Sequence, residues 1–355
     1  MAGSSQTHAR DFAAIGFIVA LTVYVLVVGQ SLLQPLVIAV VFWFLINVLA
    51  SLFLDIRLRG IQLYRPLCFL MAILVLVAGL GLIVQFISGS LTDLGDVAVV
   101  YEANLKEYWE RLPLSENLPA EGFLESVSQW FDITSLLTSI ALTFTGLAAD
   151  SILIIIYTLF LLWEQGNFSS KLTALVGDAA HENSVCKIID RIRSDIQRYI
   201  TIKMMTSAAT GILSYLILRL LGIDFPEIWG IVIFLLNFIP TVGSIIATLL
   251  PATVALAQST TVGVSLAVTV LVLIGALQVT IGNIIEPRLM GASLNLSPVV
   301  ILFNLALWGT MWGIVGMFLC VPFLIITTIV LSHFPRTRPI AILLSSNGKI
   351  DTQED

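Results

Sequence analysis

From Ile228 to Ser332 the chain runs through apolar residues in which only Glu286 and Arg288 are charged. A soluble domain uses charged residues for about a quarter of its length, so this stretch belongs in a bilayer. A spanning helix needs about 20 mostly apolar residues, or somewhat fewer where flanking groups reach the interface. Eight segments qualify: 12–28, 36–54, 67–88, 143–163, 204–221, 228–257, 262–285 and 299–331. The first follows Arg10 like a signal-peptide core, but no small-x-small cleavage site follows and a second apolar run starts after Pro35, so it reads as a span. Gln30, Gln34 and Pro35 predict a hairpin between the first two spans. The expected fold is all-α: a polytopic membrane helix bundle of about eight spans, with broken or re-entrant helices.

The polar intervals divide the bundle into a three-span block (1–88), an external acidic helical segment (89–142), a fourth span (143–163), a cytoplasmic amphipathic helix (164–203), a C-terminal membrane block (204–335) and a cytoplasmic tail (336–355). Basic residues are retained on the cytoplasmic side. Arg10, Arg57, Arg59, Arg65, the cluster from Lys171 to Lys203, and Arg336, Arg338 and Lys349 share one face if both termini are cytoplasmic. Simple alternation puts Arg288 on the other face, unless span six or seven is re-entrant.

Two segments carry helical periodicity outside the spans. Leu94, Val97, Tyr101, Leu105, Tyr108 and Leu112 recur at three- and four-residue steps, and Phe123, Val127 and Trp130 do so beyond Pro119. They predict two external amphipathic helices whose apolar faces cover each other, the bilayer surface or a neighbouring protomer. Val185, Ile188, Ile189, Ile192, Ile196, Tyr199 and Ile200 form a second stripe, opposite Lys187, Asp190, Arg191, Arg193, Asp195 and Arg198. An interfacial helix leading into span five is the simplest account of it, with a gate as the alternative.

Composition agrees: 58% of residues are hydrophobic, 11% are charged, and the formal net charge is −6. The segment from Asp93 to Asp132 has only Lys106 and Arg111 against its acids, which disfavours nucleic acid as a partner. Cys68, Cys186 and Cys320 are far apart, as are His8, His181 and His333, so no disulfide framework, metal site or catalytic dyad is expected. The chain lacks a phosphate loop and a His-Glu-x-x-His motif, which removes ATP-driven pumping and zinc proteolysis. No cofactor and no enzymatic activity are implied.

The candidate solute or ion pathway lies at two helix breaks. In Leu236-Asn237-Phe238-Ile239-Pro240-Thr241-Val242-Gly243-Ser244, Pro240 withholds a donor from the Leu236 carbonyl and Gly243 weakens the next turn. Freed backbone groups are tolerated in lipid only where protein or a watery cavity satisfies them, as in transporters. Asn237 is placed either to bind a solute or to hold a neighbouring helix. In Asn283 to Gly291, Pro287 biases Glu286 out of helical geometry, so the span is expected to end there, with Gly291 letting the chain turn. Glu286 and Arg288 then form a structural ion pair, or Glu286 serves as a proton or sodium site. Gly309, Gly313 and Gly316 permit close helix packing, and Asp150 reads as an interfacial residue at the start of span four.

At these breaks the chain resembles the autoinducer-2 exporter family, also called PerM-type permeases, most nearly its quorum-signal branch. The resemblance rests on Asn237 to Ser244, on Gly282-Asn283-Ile284-Ile285-Glu286-Pro287-Arg288-Leu289-Met290-Gly291, and on Gly313-Ile314-Val315-Gly316-Met317 followed by Val321-Pro322. The order of elements matches along nearly the whole chain. Thr241 stands where many relatives have a second aromatic residue. The resemblance implies export of the furanone signal autoinducer-2 from the bacterial inner membrane or, in other branches, sodium/proton exchange, by a homo-oligomer with a pentamer as one form. The residues themselves favour a secondary exporter of a small polar metabolite over a cation/proton antiporter built on Glu286, because mid-membrane acids are few. A scaffold whose external helices bind a partner is the third reading.

Overall fold

The computed structural model describes residues 16–18, 20–55, 57–58, 61–62, 64–111, 142, 151–168, 170–171, 179–291 and 295–348. The expected second external helix and Asp150 lie outside the described residues. Among the described residues, five helical stretches are long and apolar enough to cross a bilayer: Gln30–Leu54, Arg65–Phe86, Val185–Leu220, Gly263–Met290 and Pro298–His333. The chain is an all-α membrane bundle, with a two-residue antiparallel pair, β1 (Arg57–Leu58) and β2 (Ile61–Gln62), in one connection.

The N-terminal helices α1 (Gly16–Val28) and α2 (Gln30–Asp55) do not form the expected hairpin. Gly29 N–H donates to the Val25 carbonyl at 2.8 Å and Leu33 N–H to the Gly29 carbonyl at 3.0 Å, so helical bonding carries across the junction. Pro35 is accommodated inside α2; a proline removes one helical donor and bends a helix without having to end it. Helix α3 (Arg65–Arg111) has 47 residues, about 70 Å at 1.5 Å per residue. It exceeds the ~30 Å hydrocarbon core more than twofold, so the periodic segment from Leu94 is the outward continuation of span three. Helix α4 is Ser151–Glu164.

Helix α5 (Ala179–Leu220) joins the expected amphipathic helix and span five without a break. The stripe finds its partner inside the protein: Ile196, Tyr199 and Ile200 are buried, and Ile188 and Ile192 pack on the same core. Packing against neighbouring helices takes the place of the bilayer surface, while the Arg193 guanidinium sits 5.4 Å over the Trp43 ring of α2. α5 stops at Gly222, whose φ of 68° needs no Cβ. The Gly222 N–H bonds to the Arg219 carbonyl and the Ile223 N–H to that of Leu218, the paired bonds of a Schellman cap.

The apolar run 228–257, expected to cross once, enters and returns. α6 (Pro226–Leu236) has 11 residues and α7 (Val242–Ala257) has 16, about 17 and 24 Å long, both short of the ~30 Å core. Their open ends meet, because Gln258 Nε2 donates to the Gly222 carbonyl at 2.8 Å and its Oε1 accepts from Asp224 N–H at 3.1 Å. The tip, from Asn237 to Thr241, therefore points into the bundle. From the same end α8 (Gly263–Val279) runs back through a π-helical turn, Thr280–Ile285, into α9 (Glu286–Met290).

The expected span 299–331 is likewise a hairpin. α10 (Pro298–His333) contains Gly313 at φ 60° and ψ −140°, where the helix reverses. Trp308 and Phe323 stack at 4.1 Å, and Asn304 Nδ2 donates to the Cys320 carbonyl, contacts that a straight helix would not allow. The base is closed by the bridge between Leu296 and Ser345, beyond α11 (Arg338–Leu344). Thus two helical hairpins enter the core from opposite ends, and they meet where Phe238 stacks on Phe318 at 4.4 Å.

Reversal of α6–α7 also relocates Arg288. Arg198 Nη2 donates to the Leu289 carbonyl at 3.2 Å, so Arg288 lies at the basic end of α5 with Arg198, and the conflict in charge distribution disappears.

Candidate functional site

Where the hairpin tip of α6–α7 faces α8 and α9, the bundle leaves a cavity of about 630 Å³, within the ~300–1,000 Å³ usual for small-molecule sites. The first break contributes Asn237, Pro240, Thr241 and Ser244 to the wall. The second contributes Asn283, Glu286, Pro287 and Gly291. The two prolines thus address one space, and two residues expected on the pathway, Gly243 and Arg288, lie off it. Gly243 closes the α6–α7 hairpin, where an added Cβ would stand 1.8 Å from the Leu236 carbonyl oxygen. Arg288 is exposed and makes no ion pair among the described residues. Gly316 does in the second hairpin what Gly243 does in the first, with an added Cβ 2.0 Å from the Trp308 carbonyl oxygen, while Gly309 faces Met317 and Gly313 forms the turn.

Local geometry at the tips follows from the residues. Thr241 sits at φ 58° and ψ −59°, a conformation that costs a β-branched residue about 1–3 kcal/mol. Asn237 is buried, and its Nδ2 donates to Ser207 Oγ of α5 at 3.0 Å, so its amide holds a neighbouring helix from the cavity wall. At the second break the helix does not end at Pro287. Glu286 N–H bonds to the Ile281 carbonyl, five residues back, and Glu286 itself is helical. The widened turn makes room for the proline ring, and the chain reverses only at Gly291, with φ 60°. Pro287 supplies no N–H to the carbonyls one turn back, in Gly282 and Asn283, and both residues line the cavity.

The charge partner of Glu286 is Lys203 of α5, not Arg288. Lys203 Nζ lies 2.7 Å from Glu286 Oε1, with side chains 8% and 13% exposed, and Thr206 Oγ1 reaches Glu286 Oε2 at 3.4 Å. Desolvating both ions is costly, and only close geometry with added hydrogen bonds offsets it. Among the described lining residues these two alone are charged, so the cavity is electrically balanced. Lys203 carried a sequence signal: it continues the buried stripe Ile192, Ile196, Tyr199 at helical steps, where a charge must be paired. Gln278, another lining residue, precedes Gly282 and Glu286 by four and eight positions and so shares their helix face. No cluster of three or more His, Cys, Asp or Glu side chains suited to a metal occurs among the described residues.

The AI-2E family transporter model matches residues 16–336. The chain belongs to the AI-2E transporter family. It is 32% identical over 234 residues to a putative transport protein of Haemophilus influenzae, covering 64% of this chain and 66% of that protein. It is 27% identical to the AI-2 transport protein TqsA of Escherichia coli K12, over 78% of this chain and 79% of TqsA. To the putative transport protein YhhT of the same organism it is 28% identical, over 89% and 88% of the two chains. For another relative, a putative transport protein of Borreliella burgdorferi, the match spans 55% of its length. Membership in this family, with membrane-competent helices, makes the chain a multi-pass membrane protein.

Proposed function

We propose that the chain is a secondary transporter that exports a small polar signal or metabolite, with autoinducer-2 as the leading candidate, across the bacterial inner membrane. One observation carries the reading: both proline breaks open onto a single cavity whose only charges, among the described residues, cancel. Such a space suits a neutral solute that needs hydrogen bonds more than a countercharge, and hydroxyls and amides supply them. The name of TqsA supports the choice of solute. The basic residues gathered at one end agree with a cytoplasmic placement of that end, and a homo-oligomer is the assembly we envisage.

A cation/proton antiporter is the second reading, favoured by the buried Glu286 carboxylate. Its pairing with Lys203 weakens it, because the ammonium already occupies the place a cation would take. Proteoliposomes separate the two. The exporter reading expects autoinducer-2 efflux from loaded vesicles and no proton movement when a sodium gradient is imposed. Proton movement that Glu286→Gln abolishes, with no solute flux, would establish the antiporter instead.

A further inference from the structure

We infer that Gln278 is a specificity-determining residue of the cavity, the group that accepts or rejects a solute by hydrogen bonding to an oxygen on it. The inference rests on the transport reading above and adds a residue to it. Gln278 is 6% exposed, lines the cavity, and its Nε2 has no hydrogen-bond partner. Buried amides are nearly always paired, and an unpaired one in a native wall calls for a ligand or water to complete it. Several other polar groups of the wall have partners within the protein: Asn237 Nδ2 donates to Ser207, Lys203 Nζ to Glu286 Oε1, and Thr248 Oγ1 to the Ser244 carbonyl at 2.8 Å.

Position supports the role. Between Gln278 and Glu286 on the same helix face stands Gly282, where an added Cβ would meet nothing within 4 Å. An open slot therefore separates an amide from a carboxylate eight residues further along the same helix face. A small neutral solute lying in it offers a hydroxyl, ether or carbonyl oxygen to the Gln278 N–H, which a flip of the amide brings from its shielded position to the cavity face, and hydroxyl protons to Glu286. A solute lacking the acceptor leaves the amide unpaired, the situation in which polar sites discriminate most strongly.

The test compares Gln278→Leu and Gln278→Glu with the unaltered protein in proteoliposomes, using autoinducer-2 as the probe and variants that elute and melt like the parent. The expected result is a half-saturating concentration raised about tenfold or more in both variants, with the maximal rate little changed. Half-saturation unchanged from the parent in both would overturn the inference. If the unaltered protein moves no autoinducer-2, the proposed export fails by itself, and Gln278 is then judged by a second arm. In a chain with Cys68, Cys186 and Cys320 replaced by Ser, the thiol introduced by Gln278→Cys should react with a small membrane-impermeant methanethiosulfonate. A thiol that reacts no faster than one placed at fully buried Ile274 would overturn the inference whatever the cargo.

Discussion

Lys203 of α5 and Glu286 at the start of α9 form a 2.7 Å ion pair inside the wall of the cavity, and Thr206 adds a bond to the same carboxylate. Removing one partner leaves a largely buried charge uncompensated, which costs about 3–5 kcal/mol. Lys203→Met and Glu286→Gln should each lower the melting temperature in detergent. The double variant should recover most of the loss, since neither charge then remains. Strictly additive losses would show that the pair is not coupled.

Two glycines, Gly243 and Gly316, close the hairpins, whereas Gly282 leaves space in the cavity wall. An added Cβ at Gly243 or Gly316 falls on a backbone oxygen of the opposing arm, whereas at Gly282 it meets open space. Gly243→Ala and Gly316→Ala should destabilise by about 1–3 kcal/mol or more through overpacking. Gly282→Ala should fold as well as the parent or better, by up to ~1 kcal/mol from helix propensity, yet slow transport by filling the slot. Thermal melts beside flux assays on the same preparations check all three.

Pro287 deprives one turn of a donor, and the π-helical turn accommodates its ring. With Pro287→Ala an N–H returns and the ordinary α register becomes available. Melting temperature should rise and flux should fall, because the groups lining the cavity shift around the helix. A variant that melts higher and transports at the parental rate would show that the widened turn is structural only.

Beyond its span, α3 reaches the open end of the first hairpin, where Tyr101 donates to Asp224 at 2.8 Å and Asn104 Nδ2 to the Ala257 carbonyl at 2.8 Å. Burial first, then the hydrogen bond to Asp224 and that residue's negative charge, push the Tyr101 phenol well above its usual value of 10.0. A raised value means the neutral phenol is the stabilising form. Its contribution is complete below pH 10 and is lost only as pH climbs through the raised value. The ultraviolet titration of Tyr101→Phe should therefore match the parent's through pH 10 and differ only above it. A missing step near pH 10 would show that Tyr101 is not tethered.

Much of this was legible in the sequence because hydropathy and proline placement act locally. The apolar runs, the stripe from Ile188 to Ile200 and both proline breaks correspond to elements of the fold. Re-entry was not legible in the same way: thirty apolar residues look alike whether they cross once or enter and return, and the difference lies in where Gly243 and Gly316 let backbones touch and where Gly313 lets the helix reverse. The partner of Glu286 was hidden for another reason. Lys203 reads as one more basic residue near a membrane boundary until α5 is known to run unbroken past it, and Arg288, closer in sequence, draws the pairing to itself.

The proposed transport requires that the two breaks border one solvated route. In a chain without native cysteines, Ser244→Cys places a thiol on the first wall and Asn283→Cys one on the second, and each is treated with a membrane-impermeant thiol reagent before flux is measured in proteoliposomes. Both thiols should react, and either adduct should stop solute movement. Unreactive thiols at both positions, with flux unaltered, would contradict such a route.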